Sequence, residues 1–153
     1  MVVRIKIAKD KAQLVQDLVN YKDTTGPFQT YADVLVFAAT LGAKYKKRVP
    51  LDSISKEPAP INLEVFVTRG YDLVLKMLAV AETQDVKILS NDEPENEEQL
   101  VLIFEEYANG GLTKLQDDLR GSVDYSERIL LLITQYRLKP EKPDEDFDLT
   151  RFL

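Results

Sequence analysis

The chain has 153 residues, 44% of them apolar and 30% charged, a length and composition suited to one domain with one core. It contains no Cys and no His, which excludes a disulfide framework, a Cys/His zinc site, a thiol nucleophile and an imidazole base. Its net charge of -6 conceals a division: residues 1–48 carry nine Lys or Arg against four Asp, so the totals of 20 basic and 26 acidic residues leave 11 against 22 for the remainder.

A basic end followed by an acidic one suits an anionic partner such as nucleic acid, and equally suits self-complementarity within the monomer or across a homodimer. No apolar run approaches the roughly 20 residues of a membrane-spanning helix, so no membrane contact is expected. The opening Met1-Val2-Val3-Arg4-Ile5-Lys6-Ile7 lacks the apolar core and cleavage site of a signal peptide, which predicts a cytoplasmic protein.

In chain order, Val3 to Ile7 alternates branched apolar and cationic residues, the period of a half-buried strand with Arg4 and Lys6 on its wet face. Asp10 is placed to cap a helix whose stripe is Leu14, Leu18 and Tyr21, broken by Gly26-Pro27. Thr30 and Asp33 have the spacing of a capping box and open a helix that is apolar almost all round and ends at Gly42. A basic cluster follows, Lys44, Lys46, Lys47 and Arg48 around Tyr45. Pro50, Pro58 and Pro60 then predict a long irregular connection, the place for a functional loop or a domain seam.

Ile61 to Val67 alternates and reads as a short extended segment with a helical competitor. A helix is expected from Tyr71 to about Thr83, and another from Pro94, with Glu95, Glu97 and Glu98 complementing its N-terminal dipole, until Gly110-Gly111 stops it. A short helix through Leu112, Leu115 and Leu119 and a final one from an Asp124 cap to Leu138, ended by Pro140, complete the reading. The fold class expected is mainly α: a single compact helical domain over residues 1–138 with a short N-terminal β-strand, then an acidic tail over 139–153.

A cationic strand followed by two helices has the order of a ribbon-helix-helix unit, in which strands paired across a dimer enter a DNA groove. The cluster Lys44 to Arg48 suits a phosphate backbone, with a solvated or internally paired loop as the alternative. Asp72 with Asp85-Val86-Lys87 loosely matches the carboxylate and lysine arrangement of metal-dependent nucleases. Asp144, Asp146 and Asp148 begin like a calcium loop but lack its turn glycine and closing glutamate, and are read as tail. The Gly110-Gly111 pair follows a helix instead of preceding one, the wrong polarity for a phosphate cradle. No cofactor, metal site or catalytic residue is therefore expected.

Thr25-Gly26-Pro27-Phe28, Tyr31 to Ala39, Leu41-Gly42, Arg48-Val49-Pro50-Leu51 and Ile103-Phe104-Glu105-Glu106-Tyr107-Ala108-Asn109-Gly110-Gly111-Leu112 resemble a small bacterial family of DNA phosphorothioation-associated proteins, dnd system-associated protein four. The resemblance runs from about Arg4 to Leu138 through packing and turn motifs. It implies work beside the components that place sulfur in the DNA backbone or restrict DNA lacking that mark, in an accessory or regulatory role. Arg4, Lys6, Lys44, Lys46, Lys47 and Arg48 are then the expected DNA contacts. The alternative is docking on other proteins of the system through Glu95, Glu97, Glu98, Asp144 and Asp146, with a nuclease third.

Overall fold

The computed structural model describes residues 2–21 and 24–138. Their order is β1 (Arg4–Ile5), α1 (Ala12–Asp17), β2 (Asn20–Tyr21), β3 (Thr24–Thr25), α2 (Tyr31–Lys44), β4 (Ile61–Asn62), α3 (Leu63–Thr68), α4 (Asp72–Thr83), α5 (Pro94–Leu119) and α6 (Tyr125–Leu138), with single 3-10 turns at Lys9–Lys11 and Val86–Leu89. The fold is mainly α with a short N-terminal strand, as the hydrophobic periods predict. The tail expected over 139–153, including Asp144, Asp146 and Pro140, lies outside the described residues.

The alternation of the first strand is real: Ile5 and Ile7 are fully buried while Arg4 and Lys6 are exposed. Its partner, however, is β4 of the same chain, antiparallel with Arg4 opposite Asn62 and Ile5 opposite Ile61. This replaces the ribbon-helix-helix arrangement, because the pairing edge of β1 is taken by a segment that follows the second helix. The proline-rich connection is what brings that segment back. It runs beside the N-terminal segment, with Ser55 N–H donating to the Ile7 carbonyl at 2.8 Å and Lys9 N–H to the Ser53 carbonyl at 2.8 Å.

The first helix is shorter than its stripe predicts. Leu14, Val15 and Leu18 are buried as expected, but after Leu18 the backbone turns into the β2–β3 hairpin. Phe28 N–H donates to the Leu18 carbonyl at 3.1 Å, and a Cβ on Gly26 would lie 2.1 Å from the Leu18 carbonyl carbon. That contact admits only glycine and takes the carbonyl that a longer helix would use. Asp10 caps no helix; its carboxylate sits 3.0 Å from Lys11 Nζ.

The Thr30–Asp33 capping box at the start of α2 forms in both directions, each bond 3.2 Å. Asp33 also accepts from Tyr71 O–H and pairs with Arg69 at 3.1 Å, tying the turn before α4 to α2. Burial pushes its carboxyl up, but the Tyr71 and Thr30 hydrogen bonds and the Arg69 charge outweigh that and hold it below its ordinary value. Of Ile61 to Val67 only the first two residues are extended; Asn62 Oδ1 accepts from Glu64 N–H at 3.0 Å and starts α3 instead. Asp124 caps α6 as expected, accepting from Glu127 N–H at 3.2 Å.

The largest correction concerns α5, which runs 26 residues through the Gly-Gly pair that was expected to stop it. The glycines serve a helix crossing. A Cβ on Gly111 would lie 1.7 Å from the Ala38 carbonyl oxygen, and one on Gly42 of α2 would lie 2.1 Å from the Tyr107 carbonyl oxygen. The backbones of α2 and α5 therefore touch, and the roughly 1 kcal/mol that a helical glycine costs relative to alanine is offset by that approach. Around the crossing one core gathers Ile5, Val15, Leu35, Phe66, Leu75, Phe104, Leu115 and Ile129, with the Phe66 and Phe104 rings edge-on at 5.5 Å.

Candidate nucleic-acid interface

The basic cluster leaves α2 through a tight turn in which Lys47 N–H donates to the Gly42 carbonyl at 2.8 Å and Lys46 adopts a left-handed φ of 53°. The turn throws the Lys44 and Lys46 side chains outward, where both are exposed, and leaves Lys47 half-buried. What holds the turn is the middle of α5. The Lys47 carbonyl oxygen lies 1.8 Å from where a Cβ on Gly110 would stand. Val49 N–H donates to the Glu106 carbonyl at 3.0 Å, and Asn109 Nδ2 donates to the carbonyls of Val49 and Pro50, each at 3.2 Å. Lys114 Nζ stands 5.0 Å from the centre of the Tyr45 ring.

Arg48 belongs to this anchor more than to the surface. Its Nε donates to Glu106 at 2.7 Å and its terminal nitrogen to Glu82 of α4 at 2.8 Å. Burial works against the guanidinium's charge, yet the bonds to Glu82 and Glu106 outweigh it and raise its pKa above the ordinary value. Glu82 in turn accepts from Tyr107 O–H, and that bond with the Arg48 contact holds its carboxyl below the usual range. Of the six cations singled out by sequence, Arg48 is thus neutralised from within.

Lys6, the residue after β1, contacts the same stretch of α5. Lys6 N–H donates to Glu105 Oε2 at 2.6 Å, while the Lys6 side chain remains exposed. Glu105 is only 5% exposed, and burial pushes its carboxyl up against the lowering effect of the Lys6 hydrogen bond. This residue escaped the sequence reading, although its signal was there. Val101, Glu105, Ala108, Leu112, Leu115 and Leu119 alternate spacings of four and three, so a carboxylate stands in the apolar stripe. Glu105 to Gly110 spans about 8 Å of helix axis. Lys6 is fastened to that short length through its N–H on the Glu105 carboxylate, and the basic loop through Val49 N–H and the close approach of the Lys47 carbonyl to Gly110.

The acidic candidates are placed differently. Glu95, Glu97 and Glu98 occupy the exposed opening turns of α5 and make no ion pair among the described residues. Asp144 and Asp146 lie outside the described residues. The nuclease-like residues are separated: Asp72 opens α4 and pairs with Lys76 at 3.6 Å, whereas Asp85 follows its end and accepts from Lys87 N–H at 2.9 Å. Twelve helical residues put those carboxylates about 18 Å apart, too far to share a metal. Among the described residues no three carboxylates converge as a metal site.

The family model of DNA sulphur modification system-associated protein 4 matches residues 4–152. The chain belongs to this family. Its association is with a DNA sulphur modification system, which accords with an accessory role. No curated protein and no solved structure matches the chain. Within this family member, the run Ile103 to Leu112, one of those that carry the resemblance, is the stretch to which Lys6, α2 and the basic loop are fastened. Among the described residues no helix is long and apolar enough to cross a membrane.

Proposed function

We propose that the protein is a non-enzymatic accessory component of a bacterial DNA sulphur modification and restriction system, acting in the cytoplasm by gripping DNA phosphates through Arg4, Lys6, Lys44, Lys46 and Lys47. The observation that carries this reading is the attachment of Lys6 and of the Lys44 to Arg48 loop to Glu105–Gly110, one short length of helix that supports both. Arg48 is a positioning residue whose two carboxylate partners fix the loop. Rigid placement limits the entropy lost when lysines meet phosphates, and phosphate contacts orient a protein on DNA without reading its sequence. The test is retention on immobilised duplex DNA by a variant with Lys44, Lys46 and Lys47 changed to Glu. Loss of retention with unchanged thermal stability is expected; full retention would sink the reading.

The second reading is docking on other proteins of the same system through Glu95, Glu97 and Glu98, with Asp144 and Asp146. It is favoured by the exposure of the first three without a cationic partner among the described residues. Charge reversal in the basic loop separates the two, since it removes DNA retention and leaves co-purification with system components intact.

A further inference from the structure

Between α3, α4, the Val86–Leu89 turn and the start of α5 lies a groove of about 400 Å³. Its floor includes Leu75, which is 1% exposed, and Leu100, while Val67 and Leu89 stand at its walls, 41% and 38% exposed. A concave surface lined by apolar side chains with a few polar groups at its edge is the usual form of a binding site. Carboxylates edge the groove: Asp72 is paired with Lys76, but Glu93 and Glu97 have no cationic partner among the described residues. From Asp85 to Glu98 six carboxylates face the single Lys87.

We propose that this groove receives a cationic amphipathic helix of a partner protein, its apolar side chains against Val67, Leu75 and Leu89 and its lysines or arginines beside Glu93 and Glu97. Three features select that occupant. The lining is helix and turn and offers no strand edge for main-chain pairing, so recognition must come from side chains in the helix-in-groove manner. The unpaired carboxylates repel DNA and favour a basic segment. They also disfavour the chain's own end, where five carboxylates from Glu141 to Asp148 stand against Lys142 and Arg151. The inference deepens the docking reading above and is independent of DNA binding.

The experiment uses the full chain and a fluorescein-labelled leucine–lysine model peptide with leucines at helical spacing, together with a shuffled peptide of the same composition. Fluorescence anisotropy is expected to give tighter binding of the helical peptide than of the shuffled one by about tenfold, a difference worth about 1.4 kcal/mol. Glu93→Gln/Glu97→Gln and the wall variant Leu89→Gln, an exposed position chosen to spare folding, should each weaken the helical peptide by about the same factor. Glu95→Gln/Glu98→Gln, whose carboxylates belong to the docking surface but lie outside the groove lining, should weaken it by clearly less than Glu93→Gln/Glu97→Gln. Equal binding of the two peptides, or an equal loss in both double variants, would overturn the groove while leaving an acidic docking surface standing. No binding of either peptide, joined to undiminished co-purification of system components by both double variants, would remove the groove and the docking reading together. A concentration-dependent dimer dispersed by Leu89→Gln would overturn the partner helix in favour of a second copy of the chain.

Discussion

The two halves of α5 are built to opposite rules. From Glu105 to Gly111 nearly every group has a use inside the fold: Glu105 takes the Lys6 N–H, Glu106 takes Arg48 and Val49, Tyr107 donates to Glu82, and Gly110 and Gly111 admit neighbouring backbone. From Pro94 to Glu98 the carboxylates are exposed and unpaired among the described residues. The Glu105 to Gly111 stretch organises other segments, and the opening turns leave charge available to solvent or to a partner. One helix therefore teaches that charge in a sequence has to be separated into charge that is spent on the fold and charge that is presented.

The strongest way to break this contrast is Gly111→Ala. The added Cβ would meet the Ala38 carbonyl at 1.7 Å, and because both atoms belong to packed backbone the helices must part. A loss of about 3 kcal/mol or more is expected, read as a lower urea midpoint. Arg48→Ala comes next. It leaves Glu106, 13% exposed, without its cation, and at the partial exposure of this network about 1 kcal/mol should be lost in the same measurement.

Glu105→Gln sharpens the contrast through pH. The folded carboxyl titrates above its unfolded value, so the native state binds the extra proton and wild-type stability declines as pH rises through that interval. The glutamine retains an acceptor for Lys6 N–H without the charge. Its melting temperature relative to wild type should rise as pH increases from the ordinary carboxylate range toward neutrality. A difference that stays flat or falls would contradict the buried placement. Glu97→Gln is expected to do least, within about 0.5 kcal/mol, since it touches only an exposed opening turn.

Much of this architecture was legible along the chain. Ile5 and Ile7 alternate with Arg4 and Lys6, Thr30 and Asp33 have capping-box spacing, and Asp124 stands where α6 needs an acceptor; each is a local signal with a local consequence. The misreadings of helix length share one cause. Gly26, Gly42, Gly110 and Gly111 are glycines because another segment's backbone touches them, and nothing in local spacing distinguishes that from a turn or a helix stop. The cations of the candidate interface were visible by composition. That Arg48 is bound to Glu82 and Glu106, 34 and 58 positions away, was not. Glu105 lay between, because its place in the apolar stripe could be counted but its partner, the Lys6 amide, is 99 positions distant.

The central claim is that the anchored cations grip DNA, and the most direct measurement is fluorescence anisotropy of a labelled duplex, unmodified and phosphorothioated, titrated with the protein over a series of salt concentrations. Five phosphate contacts predict a slope of log affinity against log salt of about -4.5, its magnitude falling by about 2 when Lys46 and Lys47 are changed to Glu. A preference for one of the two duplexes would further place the protein at the marking or the reading of sulfur. No binding at low salt, or binding that ignores salt and the loop variant alike, would contradict the account.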